Sequence, residues 1–80
     1  MPELTYGQKA VGLDFNPSNN PDVQAIKEAF ADAIDLCNTA FNAPLQDGIN
    51  NNERNRMLAE AITCAQAAQM WAVKGITWKY

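Results

Sequence analysis

Two long stretches in which apolar side chains return every three or four residues constrain this chain more than anything else in it. In the first, Val23, Ile26, Phe30, Ile34, Cys37 and Phe41 form one stripe, the spacing of an amphipathic helix. In the second, Leu58, Ile62, Ala65, Ala72 and Val73 do the same. Asn20 as N-cap and Pro21 at the first helical position start the first helix, and Asp22 complements its dipole. Asn50 with Glu53 three residues later resembles a capping box and opens the second. Between them lies a connector with Pro44 and the turn pair Asp47-Gly48. The spacing predicts helices over 21–41 and 51–75, with Gly75 weakening or ending the second.

Each helix carries a second small or apolar stripe. On the first it is Ala25, Ala29, Ala33, Leu36 and Ala40; on the second, Met57, Ala61, Cys64, Ala68, Trp71 and Trp78 at near-heptad spacing. Only the strip with Glu28, Asp32, Asp35 and Thr39 reads as plainly solvated. A helix in a simple hairpin needs one buried stripe, so the second stripes predict contiguous apolar patches and an oligomer. The expected fold is all-α: a single-domain antiparallel two-helix hairpin that oligomerises. Residues 1–20 are expected as an N-terminal arm and loop, since Val11, Leu13 and Phe15 alternate with Gly12 and Asp14 in the manner of a short strand.

At 80 residues there is room for one small domain, whose lone core is marginal without further support. The net charge of −3 argues against binding a long nucleic acid or an anionic membrane. A compact anion remains possible where the six Lys and Arg gather. No histidine is present, and Cys37 and Cys64 form no CxxC, so neither a zinc site nor a Cys–His nucleophile is expected. Both cysteines are expected as buried packing residues in a reducing compartment. With no export signal or apolar span, the chain is expected to be soluble and intracellular.

Catalysis finds no foothold. Ser18 has no base near it in sequence, and no carboxylate pair or glycine-rich phosphate loop occurs. No catalytic residue, metal ligand or cofactor is expected. Binding residues are easier to find. Lys27 falls beside the apolar stripe of the first helix, where it either snorkels over apolar surface or holds a phosphate. On the second helix Arg56, Thr63, Met70, Lys74 and Thr77 share a face with no acid on it, either a solvated face or donors for phosphate and ribose. Tyr6 and Phe15 lie outside the helices and are free to stack on a base, although Phe15 also suits a packing anchor. Trp71 is expected in a core or an interface. In Phe15–Pro21, FNPSNNP, the free N–H groups of a helix start meet Asn16 and Ser18 side chains, an arrangement that binds anions, with Asp22 forcing any phosphate off the axis.

Tyr6–Lys27, YGQKAVGLDFNPSNNPDVQAIK, together with Ala68–Trp78, AQMWAVKGITW, resembles the helical-hairpin domain shared by phage anti-CBASS sponges and Thoeris anti-defence sponges. The resemblance spans nearly the whole chain. It implies a hexamer in the cytoplasm of an infected bacterium that sequesters immune second messengers without cleaving them, so that their effector is never activated. Anti-CBASS sponges take cyclic dinucleotides such as 3′,3′-cGAMP and, at a separate site, cyclic trinucleotides such as cyclic tri-adenylate. Thoeris-type sponges take glycocyclic ADP-ribose isomers. The resemblance further implies a base-stacking aromatic, Tyr6 or Phe15, a phosphate-pairing Lys27, and an arginine at the trinucleotide site, Arg56 or else Arg54. The alternatives are a sponge for the glycocyclic ADP-ribose signals of Thoeris defence, a nuclease acting on the same signals, disfavoured by the missing histidine and the lack of a carboxylate cluster, and a hairpin adaptor that binds no nucleotide.

Overall fold

The computed structural model describes residues 3–80, which form three helices and, among them, no strand. Short α1 (Tyr6–Ala10) precedes α2 (Pro21–Phe41) and α3 (Asn51–Ile76). The two long helices pack as a hairpin, and α1 lies against α2. Asn20 caps α2 by accepting from the Asp22 N–H at 2.8 Å, and Asn50 caps α3 by accepting from the Glu53 N–H at 3.0 Å. Gly75 sits inside the last turn of α3, which runs on to Ile76 with Thr77 as its C-cap.

The expected extended arm is replaced by a helix and turns. Thr5 and Gln8 form a capping box that starts α1: the Thr5 hydroxyl accepts from the Gln8 N–H at 3.1 Å, and the Gln8 side-chain Oε1 accepts from the Thr5 N–H at 2.9 Å. Asp35 then anchors this helix start, accepting from the Gly7 N–H and the Thr5 hydroxyl, both at 2.7 Å. Asp35 is therefore half-buried rather than part of a solvated strip. A Cβ on Gly7 would stand 2.1 Å from the Ala31 carbonyl oxygen, so α1 reaches α2 only because glycine is there. The alternation of Val11 and Leu13 comes from tight turns, in which Gly12 takes a positive φ of 64°. Val11 points inward all the same and joins Ala31, Ile34 and Ile62 in the core.

That core is thin. The molecule measures 51 × 33 × 12 Å and has a radius of gyration of 14.8 Å. A compact chain of this length would reach about 12 Å. The slab is one helix layer thick and cannot bury both faces. Accordingly Ala25, Ala29, Ala33 and Leu36 are exposed, and so are Met57, Ala61, Cys64, Ala68 and Trp71. Trp71, 70% exposed, is not a core residue of this chain, and Cys64 is exposed, not a packing residue. Among the described residues no helix is long and apolar enough to cross a membrane, and no cluster of His, Cys, Asp and Glu is arranged to hold a metal ion.

Candidate functional site

Lys27 organises one end of the hairpin. It stands in the second turn of α2, on the inward face, and is only 6% exposed. Its ammonium donates to the Gly12 carbonyl at 3.0 Å and to the Phe15 carbonyl. The Phe15 N–H closes the turn onto the Gly12 carbonyl at 2.9 Å, and the lysine, bonding the carbonyls at both ends, fastens the Gly12–Phe15 turn to α2. No acidic side chain pairs with Lys27 among the described residues. An ammonium has three N–H donors, and two are used here. A buried cation without a counter-charge is costly unless an anion approaches it. The Phe15 ring, 72% exposed, sits with its centroid 5.6 Å from the same nitrogen.

FNPSNNP frames this corner as a self-bonded loop. The Asn16 amide donates to the Asn20 carbonyl at 3.1 Å, and the Ser18 hydroxyl donates to Asn16 Oδ1 at 2.9 Å while accepting from the Asn20 N–H at 3.3 Å. Asn19 adopts a left-handed φ of 53°, a conformation asparagine tolerates better than most residues. The polar groups of Asn16 and Ser18 thus hold the loop shape first, with spare hydrogen-bonding capacity left over.

Two grooves flank the Phe15–Lys27 pair. One, of about 530 Å³, runs between FNPSNNP and the end of α3, where Val73, Ile76, Thr77, Trp78 and Lys79 line it. The other, of about 510 Å³, opens toward Gln69, Met70, Val73, Lys74 and Thr77. Phe15, Lys27, Val73 and Thr77 belong to both. Lys27, Lys74 and Lys79, three of the six basic side chains, line the pair of grooves, and no acid lines either. A further groove of about 570 Å³ on the other side of the loop has Asp14 and Glu28 in its wall and no cation, so it repels an anion.

Of the residues singled out from sequence, Phe15, Asn16, Ser18, Lys27, Lys74 and Thr77 therefore converge. Lys74 extends over the Trp71 ring at 5.2 Å and the Trp78 ring at 5.9 Å, and the Thr77 hydroxyl donates to the Val73 carbonyl at 2.8 Å. Tyr6 lies apart, beside Asn38, Phe41 and Ile62 in a smaller groove of about 220 Å³. Arg54 donates to its neighbour Asn55 at 3.3 Å. Arg56 has an acid after all: Glu53, one turn earlier, pairs with it at 2.6 Å. That hydrogen bond holds the Glu53 carboxyl below its ordinary range and raises the Arg56 guanidinium. The sequence reading missed Gln69, although it falls in the stripe of Ile62, Ala65, Ala72 and Val73, where a polar residue among apolar ones was the available signal.

The arrangement can hold a compact, phosphorylated, aromatic ligand. It offers cations for phosphate, an exposed ring for stacking and hydroxyls and amides at the rim, and among the described residues it assembles no nucleophile with a base. No curated protein and no solved structure matches the chain. A family model described as the Acb2/Tad1 hairpin domain matches residues 8–77, which include both long helices and every residue of the Phe15–Lys27 corner except Trp78 and Lys79 at its edge. On that match the chain belongs to the Acb2/Tad1 hairpin-domain family, the anti-CBASS and anti-Thoeris sponges.

Proposed function

We propose that this protein sequesters cyclic nucleotide second messengers of CBASS defence, cyclic dinucleotides such as 3′,3′-cGAMP and cyclic trinucleotides such as cyclic tri-adenylate, without cleaving them. The observation that carries the reading is Lys27: a buried cation with no acid partner among the described residues, an exposed Phe15 ring beside it and a groove on each side. A phosphate supplies the missing counter-charge, and a base stacks on the ring. Membership in a sponge family supports binding without turnover.

The bare stripes of α2 and α3 support assembly of several copies, six in the arrangement the sequence resemblance implies. Trp71 and Met57 then become contacts between copies. In that assembly Tyr6, Arg54 and Arg56, which stand away from Lys27 in one chain, belong to a second site or to a neighbour's site. The protein would act in the cytoplasm of the infected host, where the messengers are made.

The test is a thermal-shift panel with a cyclic dinucleotide, a cyclic trinucleotide and a glycocyclic ADP-ribose. A ligand bound only by the native state, at a hundredfold excess over Kd, stabilises it by about 2.7 kcal/mol. Boiling the complex should then release the nucleotide intact. A shift with glycocyclic ADP-ribose alone reassigns the protein to Thoeris signals, linear products point to a nuclease, and no shift with any of the three leaves a hairpin adaptor.

A further inference from the structure

Gln69 is a polar residue that the fold does not use. It lies on the inward stripe of α3 and is only 6% exposed. No group among the described residues donates to its Oε1. A leucine or methionine there would fill the same space without burying an unpartnered amide, so the glutamine weakens the hairpin that carries it. Its side chain forms part of the wall of the groove beside Phe15 and Lys27. The terminal torsion of a glutamine is broad and soft, and the amide turns toward that groove without moving the helix.

We propose that Gln69 is the specificity-determining residue of this site and that it reads the edge of an adenine base. Oε1 accepts from the exocyclic 6-amino group and Nε2 donates to N7, a donor–acceptor pair that among the purines only adenine presents on that edge. The proposal rests on the nucleotide-binding reading and adds to it which base is read. A phosphate cannot be the partner of Oε1, because both present only acceptors. The groove that Gln69 lines is also walled by Val11, Phe15, Met70 and Val73, apolar surfaces that suit the faces of a flat ring. Lys27 and Lys74, on the same groove, remain for the phosphate attached to that nucleoside. A guanine or hypoxanthine in the same pose would set its carbonyl against Oε1 and lose the contact.

The experiment measures Kd calorimetrically for 3′,3′-cyclic di-AMP, for its inosine counterpart, in which a carbonyl replaces the 6-amino group, and for its 7-deaza-adenine counterpart. The wild-type protein should bind the adenine ligand about tenfold more tightly than the inosine ligand, with the 7-deaza ligand between them. Gln69→Met should lose about tenfold for the adenine ligand and little for the inosine ligand, while the melting temperature of the free protein holds or rises. A Gln69→Met protein that melts higher and keeps both the affinity and the adenine preference would overturn the assignment. Equal wild-type affinity for all three ligands overturns it without any variant. If the wild-type protein binds none of the three and no other cyclic nucleotide, the binding reading itself fails, which is a different result from binding without adenine preference.

Discussion

Two cations on the same hairpin have opposite fates. Lys27 is buried, holds two backbone carbonyls and, among the described residues, forms no ion pair with an acid. Arg56 stands on the open surface of α3 and is neutralised by Glu53 of its own helix. An exposed pair of this kind is hydrated, screened and worth little. A buried unpaired ammonium shapes its neighbourhood, because every approaching group is judged by whether it supplies negative charge. Cations located in sequence do not locate a site; burial and a missing partner do.

Four substitutions would break or sharpen that contrast. Lys27→Met should have the largest effect. It keeps the stem but removes the Lys27 donor from both carbonyls, leaving Gly12 only its bond from the Phe15 N–H; this should cost about 3 kcal/mol and abolish cyclic nucleotide binding. Urea unfolding with a parallel binding assay checks both losses, and a variant of unchanged stability would show that Lys27 fastens nothing. Gly7→Ala should cost about 2 kcal/mol, since a Cβ would overlap the Ala31 carbonyl. The loss should concentrate in faster amide exchange of α1, with ligand affinity falling far less than for Lys27→Met. If affinity falls as far, α1 belongs to the site.

Phe15→Ala should leave unfolding almost untouched, as its ring is 72% exposed, and should lower affinity by about 1–2 kcal/mol if a base stacks there. Calorimetry decides it, because a change in stability alone would make Phe15 a packing anchor. Arg56→Gln should change least. Glu53 has its folded-state pKa lowered from 4.5, so the pair contributes above that pH and its contribution fades as the pH falls through the depressed value. Any difference in melting temperature between wild type and Arg56→Gln should therefore be small at pH 7 and vanish in acid once Glu53 is protonated. A difference that persists in acid would assign Arg56 a role beyond the Glu53 pair.

The contrast between the regions also explains what could be read in advance. The long helices were legible because Asn20-Pro21 and Asn50 with Glu53 are local chemistry, and local chemistry does not wait for tertiary structure. The short α1 was legible too, in Thr5 and Gln8, but the alternation of Val11, Leu13 and Phe15 reads more strongly as a strand. A period of two is produced equally by a strand and by turns that return every other side chain to the core. Only Asp35, thirty positions away from Thr5, and the glycine gap at Gly7 settle the matter.

By itself the sequence determined the all-helical class, the caps, the surplus apolar stripes and the shortage of catalytic groups, since each depends on residue type and near spacing. It brought Lys27, Phe15, Asn16 and Ser18 into consideration through the same letters that start α2. The tertiary structure decided that Lys27 is buried against Gly12 and Phe15, that Lys74 and Thr77 come round to meet it, and that Arg56 and Tyr6 do not. It also turned Gln69 from an unnoticed helix residue into a buried amide beside the groove. The physical reason is that burial is a property of what a neighbouring element covers. A helix stripe shows which side chains can share a face, whereas only the packing of α1, the Gly12 turn and α3 on α2 sets which polar group is left without a partner.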